Sequence, residues 1–187
     1  MTPPPEAEVA WLSAALEELR AFLASPDAFR PLHLPSPDMG EDLSLGRLLL
    51  AVDDLKAREG SLTGARRADW DRCRARWEAE RGARPAGIEA KARAELPHRL
   101  NVWTAYLQDL EQEHAETAAY PIEVRHRVII ERLLKLTEAG AAQARLSQAD
   151  STLRTIFQRG DFVWPAELRE TYPEKSFWFL YGRPSPS

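Results

Sequence analysis

Three of the four histidines follow a glutamate by three positions: Glu95–His98, Glu111–His114 and Glu123–His126. On a helix that spacing sets both side chains on one face, where a carboxylate and an imidazole can share a metal ion. Two of the pairs reinforce each other. His114 and His126 lie on the apolar stripes of consecutive helical segments, each six residues from Tyr120 in the turn between them. Antiparallel packing would bring the two imidazoles level, with Glu111 a turn deeper and Glu123 a turn shallower. Glu111, His114, Glu123 and His126 therefore form a candidate set for iron, manganese or zinc. The resemblance to di-metal carboxylate bundles is partial, because those need an inward acid from each of two further helices. Here Glu8, Glu18, Asp53 and Asp54 fall at the flanks of their stripes. The simpler reading makes both histidines half-buried helix-end residues beside carboxylates, and Glu95–His98 spans Pro97, which breaks its spacing.

A second candidate is basic. Arg66, Arg67, Arg72, Arg74, Arg76, Arg81 and Arg84 crowd one segment with Trp70 and Trp77, a pairing that can contact a phosphate backbone and stack a base. Asp69, Asp71, Glu78 and Glu80 interleave at spacings that pair on a helix, which disfavours nucleic acid. Cys73 has arginines on both sides, which would lower the pKa of an exposed thiol. Its place on the Trp70/Trp77 stripe makes it a small core residue instead.

The third candidate is the aromatic end. Phe162, Trp164, Phe177, Trp178, Phe179 and Tyr181 belong to a stretch that carries eight of the sixteen aromatic residues. Such residues aggregate if left in water, and extended backbone needs partners. Either Asp161–Trp164 and Ser176–Tyr181 pair as a ribbon capping the helices, or the segment docks on another chain.

The elements that position these groups follow from periodicity. Pro5 opens a first helix, and Val9, Leu12, Leu16, Leu19 and Leu23 repeat at steps of three and four up to Ser25-Pro26. Residues 26–42 hold four prolines and read as a loop. A second helix spans about Ser44 to Arg58, and a third Gly64 to Arg81, with a break at Arg84-Pro85-Ala86-Gly87. Leu96, Leu100, Trp103, Leu107 and Leu110 define the fourth, with a kink or restart expected at Pro97. Ile122, His126, Ile129, Leu133 and Leu136 line the expected inner face of the fifth. Leu146, Ala149, Leu153, Ile156 and Phe157 define a sixth, capped by Gly160. Whether the stretch 122–158 is one helix or two stays open.

The fold expected is all-α: a bundle of five or six helices with a short, partly extended aromatic C-terminal segment. It is taken as a single domain over 1–187, with 1–4 and 183–187 as flexible tails. Composition supports a globular chain, 44% hydrophobic and 29% charged, with a net charge of −4. The charge alternates along the chain: 61–99 carries ten bases against six acids, whereas 1–60 carries five against eleven. Arginine outnumbers lysine 21 to 4, which a GC-rich coding bias would also produce. A single cysteine allows no internal disulfide. The opening residues have no signal-peptide pattern, and no apolar run is long enough to span a membrane, so the expected location is the cytoplasm. Phosphate loops, nucleophile elbows, paired-cysteine zinc patterns and dinucleotide fingerprints are all absent from the sequence. The leading expectation is a non-catalytic interaction protein (assembly subunit, adaptor or accessory factor) whose partner is another protein chain or a second copy of itself. The alternatives are a metal-binding helical bundle using the two Glu-x-x-His pairs and, more weakly, a backbone binder using the arginine helix.

Overall fold

A computed structural model describes residues 4–32, 42–112 and 116–185 of the chain. Among them the fold is all-α, with six α-helices and one two-stranded antiparallel ribbon: α1 (Pro5–Ala24), α2 (Leu45–Ala57), α3 (Gly64–Ala83), α4 (Pro85–Glu111), α5 (Tyr120–Leu134), α6 (Gly140–Ile156), β1 (Phe157–Phe162) and β2 (Tyr181–Pro184). No helix among the described residues is long and apolar enough to cross a membrane. The chain divides into two compact units, Thr2–Glu95 and Leu96–Ser187, with the division falling inside α4.

In the first unit α1 packs on α2 and α3. Pro5 stands in the first turn of α1, where its missing N–H is no loss, and Glu6 and Glu8 favour the positive helix end. The apolar stripe is buried as its spacing requires: Val9, Trp11, Leu12, Ala15, Leu16, Leu19, Phe22 and Leu23. Glu8 is buried with them, and both its oxygens accept from Arg47 of α2 at 2.5 and 2.8 Å. The Arg47 guanidinium lies 4.0 Å from the Trp11 ring centre. Ser44 caps α2 by accepting the Arg47 N–H. At the same helix end Glu95, fully buried, accepts the Gly46 N–H at 2.8 Å. Lys91 donates to the carbonyls of Ser25 and Asp27 and lies 4.2 Å from the Phe22 ring centre. Burial pulls its amine below the ordinary lysine range.

One sequence expectation changes at α4, and another, a kink or restart at Pro97, loses its second alternative. Only Arg84 separates α3 from α4, and Pro85 opens the new helix rather than belonging to a longer break. At Pro97 the helix does not restart. Its ring and the Arg93 residue one turn back are both exposed, so the carbonyl that loses its N–H partner faces water.

In the second unit α5 and α6 are separate helices divided by residues 135–139. The buried face of α5 is rotated from the expected one: Tyr120, Val124, Arg127, Val128, Ile130 and Leu133 are inside, joined by Ile129. Ile122 is 53% exposed and His126 only half-buried. Arg127 can be inside because Asp150 of α6 accepts from it twice, at 2.8 and 2.9 Å, and Glu131 once, at 3.0 Å. Gly160 does not cap α6; it lies in β1, where the ribbon begins at Phe157.

The ribbon meets the expected pairing of Asp161–Trp164 with Ser176–Tyr181 only at one end. Phe157 pairs with Pro184, Gln158 with Arg183, Arg159 with Gly182 and Phe162 with Tyr181, with an irregularity between Arg159 and Phe162. Residues 178–180, expected to be extended, form a 3-10 turn. Residues 183–185 are no free tail: Pro184 is buried and the Ser185 N–H donates to the Ile156 carbonyl at 2.7 Å. Gly182 sits at φ +148°, and a Cβ there would collide with the Gln158 carbonyl and approach the Arg159 Cα to 2.9 Å. Two strands meet this closely only because that residue is glycine.

Candidate functional site

The aromatic end caps its own unit. Phe177, Phe179 and Leu180 are buried, as are Phe162 and Tyr172. Edge-on ring contacts join Trp164 to Tyr172, Tyr172 to Phe177 and Phe177 to Phe179, at 5.2, 5.1 and 5.9 Å between centres. Three polar groups of the cap donate to backbone carbonyls: the Tyr120 hydroxyl to that of Phe179 at 2.7 Å, the Trp164 indole to that of Pro121 at 2.8 Å and the Tyr181 hydroxyl to that of Tyr172 at 2.9 Å. Desolvation lifts the Tyr120 phenol far above its ordinary range, and burial also raises Tyr181. Of the six residues named from sequence, Trp164, Trp178 and Tyr181 keep partly exposed surface.

The carboxylate–imidazole set is described only in part, since His114 lies outside the described residues. The other three do not converge. Glu111 lines a cleft of about 270 Å³ between α4 and α6 with Thr104, Gln108, Arg145 and Gln148. Glu123 acts instead on the Tyr106 phenol, which burial first and this acid second push up to about 12. His126 presents Nδ1 to an Arg99 guanidinium nitrogen at 3.2 Å. An arginine can only donate, so that ring nitrogen is an acceptor with its lone pair occupied. Among the described residues no three His, Cys, Asp or Glu side chains gather where they could hold a metal ion.

Most arginines of the basic helix have acids within reach. Arg66 and Arg72 pair with Asp69, Arg67 and Arg74 with both Asp71 and Glu59, and Arg84 with Glu80. Arg76 and Arg81 are exposed on the same helix. Arg20 of α1 also donates to Glu80, which holds that carboxyl below its usual range. Trp70, Cys73 and Trp77 are buried. Burial raises the Cys73 thiol despite Arg72 and Arg76 nearby, so the arginines do not activate it.

A different cationic group emerges that spacing does not reveal. Arg154, Arg159, Glu174, Lys175 and Trp178 line an open cleft of about 510 Å³ at the rim of the cap. The Arg154 guanidinium lies 3.8 Å from the centre of the Trp178 ring, which also makes an edge-on contact with Phe157 at 5.1 Å. Arg159 reaches Glu174 at 3.6 Å, with side chains 83% and 50% exposed; such a pair is weak. Among the described residues Arg154 and Lys175 have no carboxylate partner. The three cations come from the end of α6, from β1 and from the loop before the 3-10 turn. Only folding of the ribbon brings them together, and no spacing in the sequence announces them.

Comparison with protein-family models, curated proteins and solved structures gives no match to this chain.

Proposed function

We propose that this chain is a non-catalytic interaction protein, an adaptor or assembly subunit. It recognises its partner through the cationic rim of the C-terminal cap. The observation that supports this reading is the contrast between two arginine groups. On α3 the exposed arginines are largely neutralised by neighbouring acids, whereas Arg154, Arg159 and Lys175 face one cleft against a single acid, around a half-exposed tryptophan. Tryptophan and arginine are among the side chains that most often dominate interface energetics: tryptophan offers a large contact area with few conformations to freeze, and arginine a planar fork of hydrogen-bond donors. The stacked Arg154 is already ordered, so binding it costs less entropy.

The test is capture from the source organism's lysate on the immobilised full chain, beside the charge-reversed variant Arg154→Glu/Lys175→Glu. Light scattering on both proteins records the oligomeric state. The reading expects a stoichiometric partner, or a dimer, that the variant loses while its circular dichroism is unchanged. A monomeric wild type that retains nothing, or a partner retained equally by the variant, ends it.

A further inference from the structure

Resting on that interaction reading, we propose that the group recognised at the Arg154/Arg159/Lys175 cleft is the phosphate of a phosphorylated serine or threonine on a partner protein. Charge and donor number carry the argument. Three cations and one acid give the lining a net charge of +2. A phosphate monoester carries about −1.5 to −2 at neutral pH and offers three strong acceptor oxygens, which matches both the charge and the number of cations. A single carboxylate would leave the site under-neutralised, and so would each phosphate of a nucleic-acid backbone, with one negative charge.

The donors are also unspent. Arg154 uses its face against Trp178, and no hydrogen bond from its N–H groups is made to any described residue. Lys175 has no anionic partner among the described residues. Arg159 is held by Glu174 only at 3.6 Å, a contact that a doubly charged anion can outcompete. Arginine gives the planar two-point contact that phosphate oxygens favour, and lysine supplies a mobile point charge.

The openness of the cleft selects the source. Sites for free small molecules enclose most of their ligand. This one is open to solvent, with the half-exposed Trp178 among its lining residues, so residues that flank the phosphate in a chain are not excluded from it. A phosphate presented on a protein segment can gain contacts along the rim that a free monoester cannot.

The full chain is immobilised and exposed to two pools of eleven-residue peptides, random except for a central phosphoserine or a central serine. The phosphorylated pool is expected to be retained at least tenfold more than the unphosphorylated one. That ratio is expected to fall to near one in Arg154→Gln/Lys175→Gln, whose folding is checked by circular dichroism. Methyl phosphate at the peptide concentration is expected to displace less than a tenth of the bound pool. A wild-type ratio near one overturns the inference, as does a ratio unchanged by the double substitution. Complete displacement by methyl phosphate at equal concentration overturns it in favour of a free small monoester. If no phosphopeptide is retained while the charge-reversed variant still loses a captured partner, the phosphate inference falls and the interaction reading stands.

Discussion

Replacing Arg47 with methionine tests the most consequential polar contact in the first unit. The Glu8 side chain is 2% exposed and that of Arg47 8%, and two hydrogen bonds join them at 2.5 and 2.8 Å. Arg47→Met keeps most of the aliphatic volume but leaves the Glu8 carboxylate buried without its cation. Breaking one side of a buried pair costs about 3–5 kcal/mol, because the remaining charge keeps its desolvation penalty and loses its compensation. Losing the contact with Trp11, at 4.0 Å, adds about 1 kcal/mol. Against a typical folding stability of about 5–15 kcal/mol, that is a large fraction. With a urea slope of about 2 kcal/mol per molar, the midpoint should drop by roughly 2–3 M. Equilibrium urea unfolding followed by circular dichroism reads it directly. The decisive comparison is a cycle that adds Glu8→Leu alone and the double variant. Removing both charges eliminates the orphan, so the double variant should be no less stable than either single one. A loss under about 1 kcal/mol in Arg47→Met, or a double variant as unstable as the two singles summed, would refute the argument that the pair is a compensated buried charge.

Two further outcomes follow from the second unit. Gly182→Ala forces a Cβ into the backbone of Gln158 and Arg159 at φ +148°; strain and overpacking together should cost about 2–5 kcal/mol. Denaturation measures the loss, and faster hydrogen exchange at the Val163 and Ser185 amides, which cross the ribbon, locates it; a change under about 0.5 kcal/mol would mean the strands part easily. Tyr106 should ionise near pH 12 rather than 10 in an ultraviolet titration, since burial and Glu123 oppose its anion. Between those pH values the folded state holds the proton that the unfolded state has released, so stability should fall as pH rises through that window. In Tyr106→Phe that part of the slope should vanish, and an unchanged slope would assign it to other groups.

The rim cleft fits what elementary electrostatics asks of a recognition surface. Exposed charges that already have neighbours of opposite sign give little to a newcomer, and most of the α3 arginines are in that position. Arg154 and Lys175 are not, and Trp178 gives the first of them a fixed seat. The buried polar network of the first unit serves another purpose. Glu95 holds the start of α2, Lys91 the chain after α1, and Glu8–Arg47 the pairing of α1 with α2. Each ties an element to a particular neighbour rather than offering a group to a ligand.

What the sequence by itself determined was periodic. Steps of three and four placed α1, α2, α3 and the buried face of α4 close to where they lie, because an apolar stripe on a helix has one way to leave water. Pro5 and Ser25-Pro26 marked ends through local backbone chemistry that needs no tertiary partner. The need for the aromatic end to be covered was equally legible, as a matter of exposed area. Tertiary structure decided the rest. The face of α5 turned away from Ile122 toward Val124 and Arg127, because Asp150 neutralises the arginine and the cap covers that side, and neither fact is local. Pro97 passed inside α4 because the carbonyl it orphans faces solvent. The ribbon keeps Phe162 opposite Tyr181, inside the two stretches expected to pair, and runs beyond them to set Phe157 opposite Pro184, where Gly182 permits the close approach. The Arg154, Arg159, Lys175 and Trp178 cleft has no spacing signature, since its members come from a helix end, a strand and a loop. Periodicity reports one element's relation to water; a site assembled from several elements is set by the path of the chain between them.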